Sequence, residues 1–484
     1  MNKSKGLFIN EQLVITFLTV ALLLFAVFEL MQVAMHPYIL DIIGRSLRVA
    51  SIEMSNGRPM YSAPALAMSY TPGYILLNAG LFKAFGFSYQ LWNAIWAFSG
   101  LSFLFVFSWY FWRTEKALTP IVPAALLSCL FPFLWARGDL YAIILFGIGL
   151  CVLDPLVSKR ASYRRELVAI ILFGLSLFFK QTMLPIIGGA ILLSGHDSIF
   201  SRSNLLRTTR VFLLSGLFFC LLMIVYMTVF GENINDIIKV LGLGKGHALL
   251  LDNALRYSII YLCITIPPCL YIWKNERWAI SRALMLFLVG ISYVLFSTKD
   301  GGNNWHHFLN ILLPWMWLIA KTRMDDRATP VPVSGKALWV LILMLLGFAY
   351  VYSPTVPKIA TPSDVLSVKE LKNMLSKVES TNEYALFLDS ESKFSFPEMA
   401  YVSAYKPRYE RGPLEEWSGA EKQLMNEIID DLQNKLFINI YMRKGNDIGG
   451  TAYGISYEPM YNALRQNYKL CELRYEYWTV LCRN

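Results

Sequence analysis

The chain has 484 residues, of which 55% are hydrophobic and only 16% charged, and its mean hydropathy is +0.44. A soluble globular domain carries about 25% charged residues, so a wholly soluble protein is excluded. The net charge of +10 does not indicate nucleic acid, because the basic residues sit in short clusters between apolar runs, as the positive-inside rule predicts for cytoplasmic loops.

The charge deficit is confined to residues 1–353; from 354 to 484 the composition is ordinary. This predicts an all-α polytopic membrane module followed by a small soluble α/β domain. A span needs about 20 apolar residues. The runs at 12–34, 91–112, 119–136, 140–157, 166–179, 182–195, 211–230, 255–273, 280–297, 305–320 and 336–353 give about eleven transmembrane helices. The first run is longer than a signal-peptide core and lacks a small-x-small cleavage site, so it reads as a retained span.

With Lys3 and Lys5 cytoplasmic, the other cytoplasmic loops carry Arg113 and Lys116; Lys159 to Arg165; Arg202, Arg207 and Arg210; Lys274, Arg277 and Arg282; and Lys321, Arg323 and Arg327. Residues 73–87 are apolar but about fifteen long, and counting them as a span would invert every later loop. They read as an interfacial or re-entrant helix within a long first outer loop, 36–90. Loops of that length inside a membrane protein are usually functional.

This topology gathers charged and polar residues on the outer face. The first loop holds Asp41, Arg45, Arg48, Glu53, Arg58 and Tyr61. Later turns hold Arg137 and Asp139, then Lys180 and Gln181, then Glu232, Asp236, Lys239, Lys245 and His247. The last holds Lys299, Asp300, Asn303, Asn304, His306 and His307. Charges near membrane depth are costly and mark functional sites by default. Lys180, flanked by apolar residues in LFFKQTMLP, is either a lysine snorkelling to the interface or a phosphate contact at a helix end. Asp139 either caps the helix that begins there or also lines a site, and Arg137 is its ion-pair partner or a second cation. Asp41 is an interfacial carboxylate or a general base kept ionised by the nearby arginines. His306 and His307 point about 100° apart on a helix, which argues against a shared metal.

Of the seven cysteines, five lie in apolar runs as small hydrophobes. Cys471 and Cys482 sit alone in the tail, where they are either two free thiols or, with the tail extracytoplasmic, a disulfide. In the tail, 384–388, 436–441 and 475–482 read as strands and 421–435 as a helix. No G-x-G-x-x-G and no P-loop occurs.

Four segments together resemble the GT-C class of integral membrane glycosyltransferases, which use polyprenyl-phosphate sugars and include aminoarabinosyl and mannosyl transferases. They are the acid Asp41 with the phrase NGRPMYSAPALAMSYTPGYILLNAGLFKAFG (56–86), ARGDLYAIILFGIGL (136–150), FFKQTMLP (178–185) and STKDGGNNWHHFLNILLPW (297–315). The matches run in order through residues 30–315. The family's first acid is often an Asp-Glu pair, whereas here Ile42 follows Asp41, which leaves Glu53 as a rival base.

The resemblance implies inverting transfer of a sugar from a polyprenyl-phosphate donor to a glycolipid, polysaccharide or protein acceptor. It implies a multi-pass inner-membrane protein, with the active site and the tail on the extracytoplasmic (periplasmic) side of the cell envelope. Asp41, Asp139 and Glu53 are then the catalytic candidates. Lys180, Lys299, Arg137, Asn304, His306, Arg58 and Tyr61 are candidates for binding donor phosphate or sugar. No metal or other cofactor is expected; a divalent cation is the less favoured alternative. The partners are the lipid-linked donor, the acceptor and membrane lipids, with no nucleic acid. An O-antigen ligase or polymerase, or a lipid-linked glycan flippase, is the alternative reading.

Overall fold

The structure, a computed structural model of the chain, describes residues 71–86, 139–153, 163–194, 200–241, 277–297, 384–387, 429–443, 458–471 and 478–484, with single positions such as Tyr61, Ser99 and Tyr261 between them. In chain order the helices are α1 (Gly73–Phe85), α2 (Asp139–Leu153), α3 (Tyr163–Phe179), α4 (Leu184–Leu193), α5 (Arg202–Phe230), α6 (Ile234–Leu241), α7 (Arg277–Ser297) and α8 (Glu458–Asn467). A 3-10 turn, Gln181–Met183, leads into α4. The strands are β1 (Tyr384–Phe387), β2 (Phe437–Arg443), β3 (Tyr468–Leu470) and β4 (Trp478–Arg483). The expected spans at 12–34, 91–112, 119–136, 255–273, 305–320 and 336–353 lie wholly or mostly outside the described residues.

The chain forms two compact units. One comprises Met1–Met35, Asn93–Met223 and Leu249–Val356; the other comprises His36–Trp92, Ile224–Ala248 and Pro357–Asn484.

In the first unit, α2 and α3 form an antiparallel hairpin. The Ser176 hydroxyl donates to the Ala142 carbonyl at 2.8 Å, Phe146 packs on Phe173, and the Tyr141 ring stacks on Phe179 at 5.5 Å. At the opposite end of the hairpin, buried Glu166 pairs with Arg207 at 3.5 Å and with Arg210. Arg207 also donates to the Leu153 carbonyl at 3.4 Å, which joins the end of α2 to α5. Arg202, Arg207 and Arg210 therefore lie on α5 itself, not in a loop. The helix starts nine residues before the apolar run, in turns where Arg207 and Arg210 find acceptors on α2 and α3.

Glycines set the helix spacing. The Phe173 ring lies against Gly149, Phe218 against Gly174, Phe212 against Gly188 and Val289 against Gly189. Small residues of this kind let helix backbones approach closely. The Tyr261 hydroxyl donates to main-chain carbonyls of α7, at 3.1 Å to Phe287 and 3.3 Å to Leu286.

Among the described residues, α5 is the one helix long and apolar enough to cross a membrane on its own. Its 29 residues span about 44 Å at 1.5 Å each, against a hydrocarbon core of about 30 Å. Its buried stripe is small or polar: Asn204, Val211, Ser215 and Tyr226. Its open face is apolar, with Leu206, Leu213, Leu217, Leu221, Ile224 and Val229 exposed. A water-soluble helix has the reverse arrangement.

In the second unit, α1 buries Tyr74, Ile75, Asn78, Ala79 and Phe82 on one face. Its 13 residues reach about 20 Å, too short to span, and it ends where Gly86 adopts φ +76° and donates to the Phe82 carbonyl. Helix α6 is capped by the Asn233 side chain, which accepts from the Asn235 amide at 2.9 Å.

The tail carries a four-stranded mixed sheet in the order β1-β2-β4-β3. β1 runs parallel to β2, while β4 is antiparallel to both β2 and β3. The core gathers Leu432, Phe437, Ile440, Tyr441, Met460, Leu464, Tyr468, Trp478 and Leu481. Cys471 and Cys482 form a disulfide across the β3–β4 pair. The 429–433 helix stops where Lys435 takes φ +55°, with the Leu436 amide bonded to the Asp431 carbonyl and the Lys435 amide to that of Leu432. That is a Schellman stop, with lysine where glycine is usual.

Candidate functional site

In the first unit the chain breaks at Lys180. Helix α3 ends at Phe179, and Lys180 takes extended backbone angles (φ −155°, ψ 104°) before the 3-10 turn begins. Its amide still donates to the Ser176 carbonyl, and its carbonyl accepts from the Met183 amide. Lys180 is 4% exposed. A cation just past a helix C-terminus is favoured by the carbonyl end of the macrodipole, but burial of an ammonium group is costly unless something compensates it.

The hairpin register extends to this end. Ala142 meets Ser176, and Tyr141 meets Phe179. The same progression brings Asp139, the first residue of α2, to the level of Lys180. Two residues from separate sequence segments thus share one end of one hairpin. A hydroxyl–hydroxyl hydrogen bond of 2.6 Å between Ser99 and Tyr141 fixes the aromatic layer beneath them.

In the second unit a buried carboxylate organises Tyr61. The left-handed Gly231 (φ +67°) ends α5, and the Glu232 amide folds back to the Met227 carbonyl at 3.1 Å. Glu232, 7% exposed, accepts at Oε1 from the Tyr61 backbone amide at 2.8 Å and from the Tyr226 hydroxyl at 3.1 Å. The Tyr61 and Tyr226 rings pack edge to face at 5.9 Å. Burial, and then the charge of Glu232, push the Tyr61 phenol well above its usual range. Tyr61 is therefore a neutral hydrogen-bond donor rather than a base.

Of the residues expected from the sequence, Lys180 and the Asp139 backbone position lie at the same end of one hairpin in one unit, and Tyr61 lies in the other. Asp41, Glu53, Arg58, Arg137, Lys299, Asn304 and His306 lie outside the described residues. Glu232 was legible only as one of several charges in an outer loop. The sequence signal for it was a glycine followed by an acid directly after a long apolar run. Tyr226 carried no signal, being one aromatic inside that run. Among the described residues no group of three or more His, Cys, Asp or Glu is placed to hold a metal.

No family model matches the chain, and no curated protein matches it. Among solved structures it is similar to the crystal structure of ArnT from Cupriavidus metallidurans in the apo state, at 12% identity and a TM-score of 0.43, over 96% of this chain and 97% of that one. A likeness of that extent decides neither the fold nor the function of this chain.

Proposed function

We propose that the chain is a multi-pass membrane glycosyltransferase of GT-C type that moves a sugar from a polyprenyl-phosphate donor, with inversion, to an acceptor on the extracytoplasmic side. The observation that carries this reading is Lys180, a buried cation at the open end of a helical hairpin, level with Asp139. Three further features support it. The apolar open face of α5 suits lipid. The disulfide suits an oxidising compartment for the tail. The stretches 36–92, 224–248 and 357–484, read from charge as mainly outward, fall in one compact unit.

The chemistry asks little of the protein. The acceptor hydroxyl attacks the anomeric carbon while a carboxylate, Asp41 or its rival Glu53, takes its proton. The glycosyl–phosphate bond breaks, and the lipid phosphate leaves with the negative charge. Lys180, with Arg137 and Lys299, neutralises that phosphate. Asp139 orients the acceptor, and Arg58, Tyr61, Asn304 and His306 bind donor oxygens. Positioning plus charge neutralisation is sufficient for a donor that already carries a good leaving group.

The test uses the full chain in lipid nanodiscs with a panel of radiolabelled polyprenyl-phosphate sugars and total membrane glycolipid, polysaccharide and protein acceptors. Wild type transfers sugar. Lys180→Met loses a charge-assisted contact worth about 1.5–3 kcal/mol, so kcat/KM falls roughly 10- to 150-fold with the melting temperature unchanged. Asp41→Asn falls about 100-fold or more if Asp41 is the base. No transfer from any donor, or full activity in Lys180→Met, overturns the reading.

A further inference from the structure

Glu232 has a role that rests on the function proposed above. Its carboxylate sits at the foot of α5, inside the second unit, and its Oε1 accepts two hydrogen bonds from different parts of the chain. One donor, the Tyr226 hydroxyl, is six residues away; the other, the main-chain amide of Tyr61, is 171 residues away. A buried carboxylate is an expensive way to hold a loop, because its desolvation must be offset by well-formed bonds. The Gly231 turn and the return bond from the Glu232 amide to Met227 fix where it stands. Tyr61 is thereby restrained twice, through its backbone by Glu232 and through its ring by Tyr226.

We infer that Glu232 is the positioning residue of the first outer loop: its carboxylate pins Tyr61 beside Tyr226, and so sets where the Tyr61 hydroxyl meets an oxygen of the lipid-linked sugar donor. Glu232 itself touches no reactant in this scheme. Tyr61 supplies a neutral O–H, which suits a phosphate or sugar oxygen, and its usefulness depends on being held before the donor arrives.

The experiment combines hydrogen–deuterium exchange of the segment containing Tyr61 with transfer kinetics on the full chain in nanodiscs. The variants are Glu232→Ala, Glu232→Gln, Tyr61→Phe and the Glu232→Ala/Tyr61→Phe pair. Removing the acceptor in Glu232→Ala speeds exchange at the Tyr61 amide roughly five- to a hundredfold and lowers kcat/KM by a similar factor. Glu232→Gln keeps an acceptor oxygen in place and restores most of both. The double variant is no less active than Tyr61→Phe alone, because the two residues act as one unit. That non-additivity separates positioning from general support of the fold.

Unchanged exchange at Tyr61 in Glu232→Ala overturns the tether. Faster exchange with additive activity losses overturns the positioning role. If Glu232→Ala does not fold, Glu232→Asp, which withdraws the carboxylate by one methylene, must give intermediate exchange, and wild-type exchange in that variant overturns the tether. If wild type transfers sugar from no polyprenyl-phosphate donor, the role assigned to the Tyr61 hydroxyl falls with the proposed function, while exchange still decides the tether.

Discussion

Gly174 offers a sharp test of how the helices are spaced. A Cβ at this position would lie 2.6 Å from Cδ1 of Phe218, 3.2 Å from its Cβ and 3.0 Å from the Ser215 carbonyl oxygen. A ring edge alone could rotate away. A backbone oxygen and a Cβ cannot, so α3 and α5 must separate. Overpacking of this kind costs about 1–3 kcal/mol, partly offset by about 1 kcal/mol of helix propensity gained when alanine replaces glycine. Gly216, on α5, is the matched control, since its added Cβ meets nothing within 4 Å among the described residues. Gly216→Ala should therefore leave stability level or raise it by up to about 1 kcal/mol, whereas Gly174→Ala should lower it by up to about 2 kcal/mol. At roughly 2–4 °C per kcal/mol for chains of 150–250 residues, and less for a longer one, the two variants should part by a few degrees in a melting assay on detergent-solubilised protein. Equal melting of the two, or a gain in Gly174→Ala, would refute this α3–α5 packing.

Two further outcomes follow from the tail. Lys435 holds a left-handed conformation that costs a non-glycine residue about 1–2 kcal/mol, so Lys435→Gly should stabilise the tail by about 0.5–1 kcal/mol after the entropy of the unfolded glycine is deducted; chemical denaturation of the full chain followed by tail fluorescence checks it. Burial pushes the Tyr441 phenol from 10.0 up to about 12, against smaller lowering by the Asn439 hydrogen bond. The folded state therefore keeps this proton while the unfolded chain loses it. Stability should fall as pH rises from 10 toward 12, and the fall should be smaller in Tyr441→Phe.

What the sequence made legible was mostly one-dimensional. The apolar runs gave α2, α3, α4 and α7 to within a few residues, because a helix enclosed on most sides is apolar around most of its circumference. The start of α5 was missed because its first turns carry three arginines, two of which, Arg207 and Arg210, meet Glu166 and the Leu153 carbonyl, partners set by folding. In the tail, β1, β2 and β4 stood out as apolar stretches, whereas β3 is three residues long and α8 is short, with only Met460, Ala463 and Leu464 buried. Lys180 and Asp139 were visible because a charge among apolar residues demands a reason. The Tyr61–Glu232–Tyr226 arrangement was invisible because its defining bond joins a backbone amide, which has no sequence signature, to a carboxylate 171 residues away.

The glycine contacts bear on axial registry. On α3, Phe173 fits the gap at Gly149 of α2, and the very next residue, Gly174, receives Phe218 of α5. Adjacent positions on one helix therefore index it against two different neighbours. Phe212, about six residues below Phe218 on α5, fits Gly188 of α4 in the same way. In the membrane setting proposed above, helices can slide along one another with little change in buried apolar area, because lipid tails are as apolar as the side chains they replace. Here a slip of one residue, about 1.5 Å, drives rings against newly aligned Cβ atoms at several places at once. Registry in this bundle is thus set in steps, as teeth set a ratchet, and the level at which Lys180 stands relative to α2 is fixed by the glycine contacts below it as well as by the Tyr141–Phe179 stack beside it.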